Sequence, residues 1–581
     1  MHADPDRLPS NSELAALFDT IADYLSLDGE STYRILAYTK AATLFREHPV
    51  SIAAMATSGE LRQLAGVGEA IESKVLEFIS TGDLGSLERL RSRYPEGLLD
   101  VMHLPGLGPA KTKAIWQATG IGGLRDLEIA CREGRVRDIP GMGEKTEAKI
   151  LGAIKAYEAR VAAGAEQRRL RAQVEPQAAR LVAALRDLPV VTTADYAGSL
   201  RRQRSTVRDI DLVAASIDPV AVMDAFAGLP EISHVEERGD TKLVTRTHSG
   251  LNVDLRIVGP ESYGNLLQHL TGSAEHNEAL RGFAKRRGFK ICEYGVERLE
   301  TGREVACATE TEVYEAVGLG YIAPELRENQ GEIEAAETGT LPDLIVLPDV
   351  RGDLHVHSDW TDGRATLEEM ALSARDHGLD YLCFCDHSQS LAMTGGLTPD
   401  RVLAQIEEIR ALDARLAGIR VLAGIEVDIL ADGRLDLPDD ILAKLDFVTA
   451  SIHSGFTQPK EKIMERILGA MRNPYVRSVA HPTGRLIGRR EGYEIELDTI
   501  ARIAAETGTY LEINGSPDRL DLNAQSARRA VALGATVVIS SDSHRPWEFD
   551  NLRHGVAEAR RGWLRAADVA NCRPWEAVRR R

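Results

Sequence analysis

Beyond residue 350 the chain repeats one unit: a short apolar run, a residue able to hold a metal ion, then a helical stretch. The runs are "YLCFCDHS", "RVLAGIEVDIL", "LDFVTASIHSG", "VRSVAHPTG", "GTYLEING" and "ATVVISSDSH". This alternation predicts an α/β barrel, because such a barrel keeps its chemistry at the carboxyl ends of its strands. In chain order the candidate ligands are His355, His357, Asp362, His387, Glu426, His453, His481, Asp542 and His544. The opening stretch, "DLHVHSDWTDG", has the period of a strand, with Leu354 and Val356 on one face and His355 and His357 on the other. His387, His453, His481 and His544 each follow an apolar run directly, whereas His377 and His554 sit in polar helical contexts and read as surface residues. Imidazoles and carboxylates together suit Zn²⁺, Mn²⁺ or Fe²⁺. No thiolate belongs to the set, which points to catalysis rather than to a structural zinc. Cys383 and Cys385 read as small apolar residues of a buried strand.

A second constellation lies upstream, in "DYAGSLRRQRSTVRDIDLVAAS" (195–216). Strand period puts Asp209 and Asp211 on one face and Ile210 on the other. Adjacent carboxylates repel unless a cation lies between them. "LNVDLRIV" (251–258) supplies a third, Asp254, with Arg256 on its face. Three carboxylates from neighbouring strands suit two Mg²⁺ ions, hard cations that prefer oxygen. Such a pair clamps the attacking and leaving oxygens of an in-line phosphoryl displacement. Ser199, Arg201, Arg202 and Arg204 are candidates to meet a triphosphate.

The first third carries an internal repeat: "LAGVGEAIESKVLEFI" (64–79), "LPGLGPAKTKAIWQAT" (104–119) and "IPGMGEKTEAKILGAI" (139–154). In each, a pair of glycines (Gly66 and Gly68, Gly106 and Gly108, Gly141 and Gly143) allows a tight hairpin and close approach of another backbone. A helix starts immediately afterwards, so its free N–H groups favour an anion. The pattern resembles the helix-hairpin-helix motif, which grips a DNA phosphate without reading sequence. Lys74 follows the first hairpin, with Arg34, Tyr38 and Lys40 on the segment before it. An amine so placed is a phosphate contact or, alternatively, forms a Schiff base with an abasic sugar.

At 581 residues the chain needs several cores. Its net charge of −18 excludes a broadly basic surface, so contact with nucleic acid must be local. No apolar run approaches the roughly 20 residues of a membrane span, and no secretory signal is apparent. Six cysteines without zinc-finger spacing fit a reduced, cytoplasmic setting.

"GSLRRQRSTVRDIDLV", with the hairpins before it and "LLQHLTGSAEHNEALR" (266–281) after it, resembles the nucleotidyltransferase core of DNA polymerase family X. The resemblance covers roughly residues 10–325 and implies a hairpin domain, fingers, palm and thumb. It implies that Asp209, Asp211 and Asp254 hold two Mg²⁺ ions and that Asp254 activates the primer 3′-hydroxyl. Ser199 and Arg202 would then hold the triphosphate, and His269, Thr271 and Gly272 would lie against the sugar. Asn277 and Arg281 would reach the base or the template, and Lys74 matches the lyase lysine of the family's repair members. Three positions depart from the pattern. Arg208 stands where Gly usually precedes the first Asp, His269-Leu270 where many members have an aromatic pair, and Ala70 where a second lyase lysine is often found.

The motifs "DLHVHSDWTDG", "CDHS", "GIEVDI", "SIHSGF", "AHPTGR" and "SSDSH" resemble, in order, those of the PHP (polymerase and histidinol phosphatase) domain. The resemblance implies a distorted seven-stranded barrel with up to three Mn²⁺ or Zn²⁺ ions. His355, His357, Glu426 and Asp542 would bind one, and Glu426, His453 and His481 a second. Asp362, His387 and His544 would bind the third, and Arg485 would hold a phosphate. Asp386 and Asp428 would support the ligands.

The expected fold is multidomain: α-helical helix-hairpin-helix domains (1–85 and 86–165), an α/β nucleotidyltransferase palm (166–260) and thumb (261–328), a linker (329–350), and a C-terminal distorted (β/α)7 PHP barrel (351–581). This order resembles the bacterial type of family X DNA polymerase. It implies a monomeric base-excision-repair enzyme acting on gapped or nicked double-stranded DNA with dNTPs. Such an enzyme would fill short gaps, trim 3′ ends and act at abasic sites, in the cytoplasm on nucleoid DNA, with no membrane contact. The alternatives are a PHP-type phosphoesterase with a DNA-targeting N-terminal half and a non-catalytic scaffold that binds DNA ends.

Overall fold

A computed structural model describes residues 8–48, 51–64, 66–104, 106–162 and 168–579. The first helix, Asn11–Asp28, starts at a Ser10–Glu13 capping box and ends at Gly29, whose φ of 84° is cheap only for glycine. It packs on the helix Thr32–Glu47 and reaches the helices Gly85–Arg91 and Pro109–Thr119. One apolar core therefore runs from Leu14 to Ile154. The expected division at residue 85 is not a break in packing: Asp28 accepts bonds from Arg93 and Tyr94 across it. Gly66, Gly106 and Gly141 take φ of 89°, 86° and 83°, and the helices Glu69–Thr81, Pro109–Thr119 and Glu144–Ala162 follow. A Cβ on any of the six hairpin glycines would meet nothing within 4 Å, so these turns stay open to an incoming backbone.

The palm is a five-stranded sheet in the order Thr193–Tyr196, Asp209–Ala215, Asn252–Val258, Lys242–Thr247, Ile232–Arg238. Its central pair is parallel, in a register that sets Asp211 opposite Asp254. The helices Arg171–Arg186 and Pro219–Ala227 cover one face through Leu181, Leu185, Val222 and Phe226. The thumb follows with the helices Tyr263–Thr271 and Ala274–Arg286, a three-stranded antiparallel sheet and the helix Glu310–Ala316.

Residues 329–350 are not a free linker. Gly331 and Gly339 bound a helix, Glu332–Thr338, whose Ile333 and Ala336 pack into the thumb core. Glu332 is fully buried against His276 at 2.7 Å. Further on, Ile345 and Val350 enter the barrel core. The segment joins two cores because i, i+3 apolar spacing gives it a face to bury.

Seven parallel strands in chain order, from Gly352–Val356 to Val537–Ser540, form the C-terminal domain. A bridge between Val356 and Ser543, with His357 N–H donating to Ser543 O at 2.8 Å, brings the two edges together. Interior residues such as Leu354, Cys383, Phe447 and Tyr510 cluster with Trp575, while the outer faces pack on the helices. Cys383 and Cys385 are buried and unpaired as disulfides. The first strand departs from plain alternation: its register shifts between Asp353 and Val356, so Leu354 and Val356 enter different cores. His554, expected on the surface, is 3 % exposed, since its helix Leu552–Arg561 packs on the barrel strands.

Candidate functional site

Asp209, Asp211 and Asp254 meet at one end of the central palm strands. Burial, then Asp209 and Asp254, pushes the Asp211 carboxyl up to about 7. The repulsion marks a place where a divalent cation fits, since the carboxylates supply only hard oxygen donors. Arg208 pairs with Asp209 at 3.1 Å, and Arg256 Nε donates to Asp254 Oδ1 at 3.1 Å. Gly198 holds the wall of this site: its φ is +61°, and a Cβ there would lie 1.9 Å from Asp211 Oδ2.

A cavity of about 510 Å³ lies against Gly198, Ser199, Arg202, Asp209 and Asp211. The thumb closes it with His269, Gly272, Asn277 and Arg281. Other expected contacts are already engaged. Thr271 is buried, and its hydroxyl accepts from Arg201 at 2.8 Å. Arg201 faces away from the cavity, gripping Glu310 with both terminal nitrogens. Arg202 bonds Glu328 at 3.2 Å and the Thr271 carbonyl at 2.5 Å, so a triphosphate reaches it only by exchanging those partners. Asn277 accepts from Gln268 and donates to the His269 carbonyl, which fixes the two thumb helices as well as lining the cavity. Lys74 donates to Ser86 at 2.8 Å, Arg34 pairs with Glu30, and Tyr38 packs on Phe18.

All nine ligand candidates of the barrel converge. Glu426, 1 % exposed, lies at their centre. His481 Nε2 is 3.0 Å and His453 Nε2 3.3 Å from its Oε1. His387 Nδ1, His355 Nε2 and His357 Nε2 lie 2.7, 3.6 and 3.9 Å from its Oε2. Asp542 Oδ1 is 3.3 Å from His357, and Asp362 Oδ2 is 3.5 Å from both His387 and His544. Three overlapping groups could hold ions: His355, His357 and Asp542; His387, Glu426 and His453; and His357, Asp362, His387 and His544. His357 and His387 thus each border two positions, where the resemblance assigned each to one.

The donor chemistry fits cations here. His355 Nε2, His387 Nδ1 and both nitrogens of His357 are buried with no hydrogen-bond partner; the close approach of His387 to Glu426 lacks hydrogen-bond geometry. Burial opposes charge on His387 and His544, yet Glu426 and Asp362 raise them to about 10 and about 9. Burial, His544 and His387 press His357 down to about 3. A carboxylate field that draws protons onto two rings while a third stays neutral also draws metal.

Several contributors were invisible to motif reading. Glu512 accepts from His355 Nδ1 at 2.7 Å and from the His481 backbone N–H at 2.7 Å, fixing the first ring and the second residue's main chain. The acidic residue inside "GTYLEING" was the available sign, because a charge within an apolar strand needs a partner. Glu512→Gln is expected to weaken metal binding by about 10–100-fold, read by calorimetric titration with Mn²⁺. Arg485, expected at a phosphate, is engaged within the protein: it donates to the carbonyls of Arg519 and Leu520. It thereby shapes the loop carrying Arg519, which lies 3.4 Å from Asp542 and lines the barrel cavity. Asp386 supports the loop after His357 through Ser358 and Thr361, and Asp428 accepts from the His453 backbone.

Residues 9–84 match the helix-hairpin-helix domain family and 98–156 the SAM-like helix-hairpin-helix tandem. Residues 266–328 match the DNA polymerase beta thumb and 353–516 the PHP domain. A Bacillus subtilis (strain 168) protein named DNA polymerase/3'-5' exonuclease PolX is 39% identical over 569 residues, 97% of this chain and 98% of that protein. A "Probable phosphatase" of Acetivibrio thermocellus is 32% identical over 216 residues, 34% of this chain and 83% of that protein. Another, from Syntrophotalea carbinolica, is 30% identical over 218 residues, 35% of this chain and 84% of that protein. With its hairpin domain, carboxylate-bearing palm and histidine-lined barrel in the same order over nearly the whole length, the chain belongs to the PolX family, a family X polymerase core joined to a C-terminal PHP domain.

Proposed function

We infer that the chain is a DNA polymerase and 3′–5′ exonuclease that extends 3′ ends in gapped or nicked DNA at the palm and removes nucleotides from 3′ ends at the barrel. The observation that carries this reading is two chemically different donor sets on one chain: three palm carboxylates, two of which line a cavity, and nine barrel histidines and carboxylates, eight of which fall in groups close enough to hold an ion. When bound, Mg²⁺ at the palm neutralises the charge that gathers on the triphosphate, and Mn²⁺ or Zn²⁺ in the barrel activates water against a phosphodiester.

The remaining work falls to the protein. Arg256 occupies Oδ1 of Asp254, leaving Oδ2 to accept the proton of a primer 3′-hydroxyl. Ser199 and Arg202 hold the triphosphate, and Gly272 with His269 faces the sugar. In the barrel Arg519 holds the scissile phosphate beside Asp542, and Glu512 keeps His355 in place. The hairpin glycines grip DNA backbone without reading sequence, as short-gap filling in base excision repair requires. The enzyme so read is a monomer acting on nucleoid DNA in the cytoplasm; no helix among the described residues is long and apolar enough to cross a membrane.

Primer extension on gapped DNA, with and without nucleotides, tests the reading. It fails if neither extension nor shortening occurs with Mg²⁺ and Mn²⁺ present. Gly198→Ala is expected to lower incorporation by about 10²-fold or more, because the added methyl displaces Asp211. Shortening of 3′ ends should persist in that variant. Lys74, on the helix after the first hairpin, carries the abasic-site reading as a Schiff-base amine. Borohydride trapping of an abasic substrate should label the wild type and not Lys74→Ala; equal labelling would remove Lys74 from that role.

A further inference from the structure

The cavities at the two centres are linked by others. A space of about 520 Å³ borders Asp209 and Arg208 at one end and Arg169 at the other. Arg169 also lines a space of about 510 Å³, together with Arg46 of the helical domain, Arg180 of the palm and Arg489 of the barrel. That space shares Ala172, Pro517 and Asp518 with a cavity of about 800 Å³ at the barrel centre, where Asp362, Asp542 and His544 are exposed to it. We propose that this run of cavities is a path for single-stranded DNA, along which an unpaired 3′ end passes from the palm carboxylates to the barrel without leaving the protein. The proposal rests on the reading that both centres act on DNA ends.

Charge argues for it. The chain carries a net −18, yet guanidinium groups from three domains gather along this one route. Arg46, Arg180 and Arg208 have carboxylate partners. Among the described residues, Arg169, Arg364 and Arg489 have no salt-bridge partner; Arg169 only donates to the Ser249 carbonyl, at 2.5 Å. Burial and the neighbouring Arg46 both disfavour charge on Arg169, a cost that a phosphodiester would relieve. Asp518 is the acid at the junction, and its Oδ1 already accepts from Ser516. Arg364 and Arg519 carry guanidinium groups on to the barrel candidates, in a lining that also holds Asp362, Asp542, Glu548 and Asp550. There Trp547, 65 % exposed, offers a ring on which a base can stack. An arginine-lined groove ending at an aromatic face is the chemistry of single-strand binding. Spaces of these volumes suit ligands the size of about one or two nucleotides, not a duplex.

Arg169→Glu and Arg489→Glu test the path, since neither residue touches a metal ligand or the triphosphate cavity. Arg489 is exposed and makes no side-chain bond among the described residues, so its variant guards against a folding artefact. Affinity is measured for a primer–template with an unpaired 3′ tail and for the same duplex fully paired. The wild type should gain about tenfold from the tail, and either variant should lose that gain while binding paired duplex within about twofold. A tail gain kept by both variants, or absent from the wild type, overturns the path. In a second assay, preformed complexes are given Mn²⁺ together with excess unlabelled trap DNA. The wild type should shorten the tail despite the trap, and the variants should not. Shortening by the wild type that is abolished by the trap overturns transfer within the protein. If tail binding depends on the two arginines but no DNA, including short single strands, is ever shortened, the exonuclease reading falls and the path stands.

Discussion

Asp211→Asn abolishes nucleotide incorporation, by about a thousandfold or more, and leaves 3′-end shortening intact. Such a loss corresponds to about 4 kcal/mol of transition-state stabilisation, the scale of removing a preorganised electrostatic group. Asp211 is the carboxylate opposite Asp254 in the parallel register, and it borders the cavity between palm and thumb. The same variant should melt higher than the wild type in metal-free buffer at neutral to alkaline pH. The carboxyl titrates at about 7 in the folded protein against 3.8 in a free chain. Between those values the folded state binds the extra proton, so the group's contribution is fully present below 3.8 and is lost as pH rises to about 7. Asparagine has nothing to lose there. Adding Mg²⁺ should narrow the difference, because the cation offsets the repulsion only where the carboxylate is present. Melting curves with and without Mg²⁺ at pH 6 and pH 8 check this.

Glu426→Gln is expected to remove 3′-end shortening by about a thousandfold or more while incorporation continues. Burial works against a charge at Glu426, but His453, His387 and His355 outweigh it and hold its carboxyl well below the usual range. Its two oxygens face five imidazoles, so one carboxylate borders most of the barrel's histidine candidates. Glutamine keeps the shape and removes the charge. Mn²⁺ should raise the melting temperature of the wild type and do so far less in the variant, which separates lost metal binding from lost folding. Chelation should reproduce the variant's phenotype in the wild type and be reversed by Mn²⁺.

Four of the barrel candidates, His387, His453, His481 and His544, were legible because each follows an apolar run, and strand ends converge in a parallel barrel whatever the loops do. His355 and His357 both reach the cluster around Glu426, but a register shift, not simple alternation, divides Leu354 from Val356. Glu512 was marked in the sequence only as a charge inside an apolar strand and Arg519 not at all, because their roles come from contacts across the barrel with His355 and Asp542, remote in sequence. Arg201 and Arg202 are adjacent and alike in sequence. Only packing against the thumb turns one to Glu310 and leaves the other at the cavity. The segment 329–350 reads as a linker for a related reason: its helix has one short apolar pair, Ile333 and Ala336, whose burial depends on the thumb core and whose Glu332 depends on His276.

The most direct test follows one labelled primer, annealed across a gap, in three proteins: wild type, Asp211→Asn and Glu426→Gln. Each is assayed with nucleotides and without them. The account predicts that Asp211→Asn only shortens the primer, that Glu426→Gln only lengthens it, and that the wild type does both. Loss of both activities in either variant, with its folding intact, would contradict two independent centres acting on one 3′ end.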